Sequence, residues 1–500
     1  MVFRLYPLFI ALLMSAPQLA ATARADNLFL TGPLSACRSD ALNHCQRAGL
    51  DPLQLRSAYR GPVLSLSDKT LDQLDIATSG LDTDTRPWLV GALTSIAQAH
   101  GDTDIRADEW WDEITARPEV GARLSPAQWL LIQDQLEQPQ TDRFGTRLTT
   151  QGWPEAGRTP HAAALLRTLT DSLSSGTAKT PLMVVLTSGN RDPFAASDGA
   201  LALFDETDLT LAWLPLDASL QSARRAHQCS ELERHRQRVQ GNAERARIYP
   251  RKVADQQRLC LQPERGLTLL EQADAVYLAD GDEARYLATL LTPDGNDTKE
   301  MAVLRRRLAD NTLTLVATGR AASALVAALG AKDEGFARIR LHTDTPAEEL
   351  LLTPAPITMT LDSDTAWSLT EGSGAVAGRG GLWLYQRPTR LSHYLRQGDT
   401  LNWSDAGPHV ALNDAGTPQN DGQDAPLIRN LNDSSVLAIT DELCRSTQRQ
   451  ALGRFGHEGK AMGAVWTLDQ ESRFGSGKDG HCRYINVRLD VGEAGTAQER

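Results

Sequence analysis

The sequence lacks any apolar run long enough to cross a bilayer, a span that needs roughly 20 residues. Leu8–Met14 and Ala321–Gly330 come nearest, and both are far too short. No membrane span is therefore expected in the mature chain. The sequence also lacks a long basic run, and its net charge is −12, which argues against nucleic acid as a partner. CxxC and HExxH spacings are absent. His44, His227 and His481 stand beside or near cysteines, but without such spacing no metal site is expected. No internal repeat is evident, and residues 46–177 hold no metal, phosphate or nucleotide motif. No cofactor is expected.

What is present begins with Arg4, the apolar stretch Leu8–Met14, and Ala23-Arg24-Ala25 ahead of Asp26. A positive start, a short apolar core and a small-x-small site read as a signal peptide over residues 1–25. The expected location is periplasmic or extracellular. There the six cysteines favour disulfides over ligation. Pairing by proximity gives Cys37–Cys45, Cys229–Cys260 and Cys444–Cys482, although six cysteines allow many other arrangements. A hydrophobic fraction of 41% is ordinary for a globular chain and allows a large core.

The pattern changes along the chain. Residues 26–45 carry a first strand, Asn27–Thr31, closed by the turn signal Gly32-Pro33. Residues 46–177 are mostly helical. Asp84–Ala99 and Ser125–Leu136 repeat apolar residues at helical spacing, and Ser125-Pro126 is an N-cap followed by proline at the first helical position. Trp110 and Trp111 read as packing residues, and 174–179 as a linker. From residue 178 to 400, apolar runs (Pro181–Thr187, Leu209–Leu216, Ala273–Ala279 and Leu313–Thr318) alternate with helices. Such runs predict strands buried on both faces. The charged stretch Arg224–Arg258 predicts a solvated helical face. Residues 401–500 read as an exposed loop, Ala406–Asp424, and a β-rich extension. The fold class is α/β: a doubly wound, mostly parallel sheet with a helical insertion and a β-rich C-terminal region.

Leu313–Leu329 carries the chemistry. A buried strand runs through Gly319-Arg320-Ala321-Ala322 straight into a helix. That is the logic of a nucleophile elbow, in which a sharp turn lifts one side chain to the top of the sheet. Small residues such as Gly319 and Ala321 are needed where strand and helix crowd, and the exposed position is expected at Arg320.

The order ADAVYLADGDEARYLATLL then LTLVATGRAASAL, over Ala273–Leu329, resembles the cyanophycinase and aspartyl-dipeptidase family of serine peptidases. Its sheet is similar to that of class I glutamine amidotransferases. Leu361-Asp362-Ser363-Asp364-Thr365-Ala366 is similar to the family's acid-bearing segment, and Gly374–Tyr385 and His393–Asp399 to the strands after it. Leu28–Leu34 resembles its first strand. The resemblance implies a serine exopeptidase acting on acidic or aspartyl peptides.

The departures from the family pattern are chemical. Arg320 stands where the serine is expected, and Ser363 where the acid is expected. The family's Gly-Gly-Asp-Gln turn has become Asp280-Gly281-Asp282-Glu283. Ser323, His342, His393 and Glu442 are weak substitutes. Arginine, always protonated, cannot act as the nucleophile. The expectation is a non-catalytic homologue with a binding or structural role. Arg320 would pair with Asp280, Asp282 or Glu283, or would hold a peptide or small anionic ligand at the helix N-terminus. An active serine exopeptidase is the alternative.

Overall fold

The computed structural model describes residues 27–40, 58–75, 80–152, 160–174, 179–204, 207–343, 345–370, 372–404, 407–413, 427–431, 436–445, 447–476 and 482–493. The expected signal peptide, Cys45, most of 174–179 and the latter part of the 406–424 loop lie outside these residues.

Five short strands are parallel: β1 (Leu28–Thr31), β2 (Leu182–Leu186), β3 (Thr210–Trp213), β4 (Ala275–Leu278) and β5 (Thr314–Thr318). Their spatial order is β1-β5-β4-β2-β3. Successive side chains on a strand face opposite ways, and both faces here are covered. Leu28, Val184, Val276 and Leu315 join a core shared with helices Glu283–Leu290 and Arg320–Gly330. Their neighbours Phe29, Val185, Tyr277 and Val316 join a second core with helices Pro160–Ser174 and Pro193–Ala202. Burial on both faces is why these strands read as unbroken apolar runs rather than alternating ones. The α/β class follows directly from this layering.

Beyond β1 the sheet turns antiparallel through Thr365–Thr370, Ser373–Gly378, Thr400–Ser404 and Gly407–Ala411. A second large sheet begins at Ile339–His342 and Ile357–Leu361, and ends at Gln450–His457 and Leu427–Asn430. Its inner residues Leu341, Met359 and Leu384 close over helix Arg320–Gly330. A boundary at residue 400 is thereby corrected. Thr400–Ser404 pairs into the first sheet, whereas Leu391–Leu395 pairs with Cys482–Glu493 in the second. Both sheets thus draw strands from either side of that point.

The helical region has its own core, built around Trp110, Trp129 and the leucines of helix Arg86–His100. Helix Pro126–Leu136 starts where its cap requires. The Gln128 N–H donates to Ser125 Oγ at 3.3 Å, and the Ser125 N–H donates to Gln128 Oε1 at 2.9 Å, a reciprocal capping box. Cys229 and Cys260 form a disulfide with Cα atoms 5.7 Å apart. Cys37 and Cys482 are also disulfide-bonded. Their expected partners, Cys45 and the Cys444 side chain, lie outside what is described. Among the described residues no helix is long and apolar enough to cross a membrane.

The stretch Arg224–Arg258 is not a solvated helix. It folds as short helical pieces, and it buries Arg236 and Arg245. Arg245, 1% exposed, donates from Nη1 to Glu137 Oε2 at 2.6 Å and to Asp192 Oδ2 at 2.9 Å. It donates from Nε to the Ala243 carbonyl at 2.7 Å. Asp134, fully buried, accepts two bonds from Arg191 at 2.6 and 2.8 Å and one from the Ala243 N–H at 2.8 Å. This cluster fastens helix Pro126–Leu136 to the loop after β2. Buried ions cost several kcal/mol each to desolvate unless geometry and hydrogen bonding are nearly complete. Removing one partner leaves the others stranded. Asp134→Ala should therefore lower the unfolding free energy by about 3–5 kcal/mol in urea denaturation. A loss below about 1 kcal/mol, the scale of a surface pair, would contradict this role.

Candidate functional site

In open parallel sheets, ligands bind outside the carboxyl ends of the strands. There the chain leaves a cavity of about 740 Å³. Its floor comes from the residues after β1, β2 and β4 and from Thr318 at the end of β5. Ser363 stands at its rim, and Tyr59, Gln133 and Glu137 of the helical region form its roof. Burial pushes the Glu137 carboxyl up, against the opposing pull of the Arg245 guanidinium.

The elbow lies at one side of this cavity. Gly319 has φ 54° and ψ −136°, and helix Arg320–Gly330 begins at the next residue. A residue with a side chain is strained in this region of backbone space. The turn that mounts a nucleophile in such folds therefore falls on Gly319. This corrects the placement at Arg320 by one residue. The Gly319 N–H donates to the Thr31 carbonyl at 3.0 Å, and the Arg320 N–H donates to Asp280 Oδ1 at 2.9 Å. A Cβ on residue 319 would lie 2.3 Å from both Cγ and Oδ1 of Asp280. The Asp280 carboxylate thus fills the space into which an elbow side chain would project.

The expected ion pair of Arg320 does not form. Its side chain is exposed, and among the described residues its guanidinium bridges none of Asp280, Asp282 and Glu283. Asp282 instead caps helix Glu283–Leu290, accepting from the Arg285 N–H at 2.9 Å. Glu283 is held by both Nη atoms of Arg340 at 2.5 and 2.9 Å. Gly281 packs directly on Gly189, where an added Cβ would lie 2.7 Å from the Gly189 carbonyl carbon. Ala321 is fully buried beneath the helix start.

The weaker candidates are scattered. Ser323 is buried within helix Arg320–Gly330. His342, at the end of a strand of the second sheet, lies with Nε2 3.1 Å from Thr353 Oγ1. Burial, reinforced by nearby Arg340, pushes its pKa down to about 4. His393, 1% exposed, is in the second sheet too. The Asn486 N–H donates to its Nδ1 at 3.3 Å, and its Nε2 lies 3.0 Å from the Gln386 side-chain amide nitrogen. Glu442 pairs with Arg429 at 2.8 Å. None of these four residues lines the cavity. Those that do, and that the sequence reading passed over, include Tyr59, Glu137, Asp192 and Arg245. Only Asp192 carried a positional signal, since it closes the turn Ser188–Asp192 that follows the end of an apolar run.

No family model matches the chain, and no curated protein matches it. Among solved structures, a peptidase from an acI-B1 Actinobacterium is similar over 47% of this chain and 91% of its own length. The identity is 14% and the TM-score 0.31. A likeness at that level carries no chemical argument.

The buried histidines set a pH dependence. Burial holds His393 at about 4, below the ordinary 6.5. The unfolded chain therefore takes up this proton first as pH falls. The contribution of His393 to stability should decline from about pH 6.5 to about pH 4 and level off below that, by up to about 3 kcal/mol in all. Urea midpoints at pH 7 and pH 4.5 read this directly. His393→Gln should narrow the gap between them, and an unchanged gap would contradict the assignment.

Proposed function

We propose that this chain is an exported, cyanophycinase-like protein that binds a ligand in its strand-end cavity and does not hydrolyse it. The observation that carries the reading is the elbow. Gly319 offers no nucleophile, and the Asp280 carboxylate takes up the space and the helix N–H that an oxyanion would need. Loss of the nucleophile from a hydrolase triad costs on the order of a millionfold in rate. The remaining candidates do not compensate, because Ser323 is buried in a helix and both histidines sit in the second sheet with their basicity suppressed. The cavity supports binding. Its volume of about 740 Å³ falls within the range of small-molecule sites, and the buried cluster around Arg245 holds its roof in place. Disulfides at Cys229–Cys260, Cys37 and Cys482 suit an oxidising compartment.

Chain recovered outside the cytoplasm, with Asp26 as its first residue, should release no product from cyanophycin or from aspartyl dipeptides. Arg320→Ser and Gly319→Ser should be equally silent, the second because Asp280 blocks the new hydroxyl. Turnover that disappears in His393→Ala or Ser323→Ala would instead establish the chain as a working exopeptidase.

A further inference from the structure

Two side chains of the helical roof each hold an unpaired polar atom open to the strand-end cavity. Gln133 lies in helix Pro126–Leu136 and Glu137 is its C-cap, so the two are four residues apart and share one face. They are 7% and 2% exposed, and both line the cavity. Trp111 Nε1 donates to Gln133 Oε1 at 3.0 Å. An indole can only donate, so the amide oxygen is fixed on Trp111 and Nε2 is the free end. Arg245 Nη1 donates to Glu137 Oε2 at 2.6 Å, which leaves Oε1 over. Among the described residues neither Gln133 Nε2 nor Glu137 Oε1 has a hydrogen-bond partner. Neither atom is sealed within the protein, so both open onto the cavity that their residues line.

The rest of the lining narrows the chemistry. Tyr59 lines the cavity, while its hydroxyl is sealed within the protein beside Tyr249. Its ring is therefore the part that the cavity meets. Asn190 and Ser363 add an amide and a hydroxyl elsewhere in the wall. Three carboxylates, those of Asp134, Glu137 and Asp192, share the two guanidinium groups of Arg191 and Arg245. An anion would enter against that surplus of negative charge, which runs against the small anionic ligand expected from the sequence. An ammonium group has only donors and cannot accept from Gln133. A hydroxyl both donates and accepts at one oxygen, so a single hydroxyl can serve Gln133 and Glu137 together. One amide group could do the same, but it would leave the aromatic ring and the remaining polar wall without a match.

We propose that the cavity takes a neutral pyranose sugar, one hydroxyl of which accepts from Gln133 Nε2 and donates to Glu137 Oε1 while a C–H face of the sugar ring packs on Tyr59. A buried donor and a buried acceptor without partners are costly, and the sugar hydroxyl supplies a partner to each. The Tyr59 ring offers rigid apolar area to the C–H face, and the other hydroxyls of the sugar match polar groups such as Asn190. The inference rests on the cavity being a binding site, as proposed above, and adds the class of ligand.

The methyl pyranosides of glucose, galactose and mannose, with glucuronate and pentanamide as charged and amide controls, test this when titrated into the full mature chain by calorimetry and ligand-observed NMR. The best pyranoside should bind at least about tenfold more tightly than either control. Gln133→Met removes the donor at similar length and should weaken that pyranoside about tenfold. Tyr59→Leu removes the ring and should weaken it about threefold. Urea midpoints confirm that each variant is folded, and the ranking of the probes on the unaltered chain needs no variant at all. Glucuronate or pentanamide binding as tightly as the best pyranoside, or a pyranoside affinity indifferent to Gln133→Met, would overturn the sugar assignment and leave the cavity a binding site. No saturable binding by any of the probes would overturn both. Release of product from aspartyl peptides would overturn the non-hydrolytic reading alone, because the ranking of probes is measured separately.

Discussion

The carboxylate of Asp280 and the missing side chain of Gly319 occupy one space, and the strand ends are arranged around that exclusion. The Asp280 carbonyl accepts from Asn190 Nδ2 at 2.9 Å, while its side chain accepts from the Arg320 N–H at 2.9 Å. One turn further, the Asp282 N–H donates to the Gly189 carbonyl at 2.9 Å. The loops after β2, β4 and β5 thus interlock at backbone contact distance. Gly189 and Gly281 touch there with no room for a Cβ on either. A side chain cannot be restored at the elbow by changing residue 319 alone, because the Asp280 carboxylate already fills the space it would need.

Charge burial does the complementary work on the other side of the cavity. Asp134 and Glu137 at the end of one helix, Arg191 and Asp192 in the loop after β2, and Arg245 come from three distant stretches of the chain, yet their donors and acceptors are closely matched. Such a cluster adds little net stability over an apolar contact of the same volume, but it penalises any arrangement that breaks it. That fixes the helical roof relative to the strand ends and keeps the cavity polar. It also consumes the guanidinium groups of Arg191 and Arg245, which would otherwise have made the cavity an anion site.

The parallel sheet was legible because four of its five strands are buried on both faces, the edge strand β3 being only partly buried. Pro181–Thr187 and Leu313–Thr318 stand out as apolar runs closed by small or turn residues, and the structure places strands at 182–186 and 314–318. Helix Pro126–Leu136 was legible from its cap. The second sheet was only partly legible. Ile339–His342 is a four-residue strand of mixed character that does not announce itself by period; nor, in the first sheet, does Ser373–Gly378, which is mostly Gly and Ala. The stretch 224–258 misled because composition reports charge but not partners. The carboxylate that accepts the Ala243 N–H lies 109 residues away. The elbow was displaced by one residue because motif spacing carries no information about φ. Only the backbone distinguishes Gly319 from Arg320.

A double-mutant cycle between residues 319 and 280 tests the occupied elbow most directly, with unfolding free energies read from urea denaturation. Gly319→Ala meets both a strained backbone, costing about 1–2 kcal/mol, and the Asp280 carboxylate, an overpacking term of about 1–3 kcal/mol. In an Asp280→Ala background only the first term remains. The account requires the glycine substitution to cost at least about 1 kcal/mol less there than in the unaltered chain, a coupling typical of residues in contact. Strict additivity of the two substitutions would mean that Asp280 does not occupy the elbow, and would contradict the account.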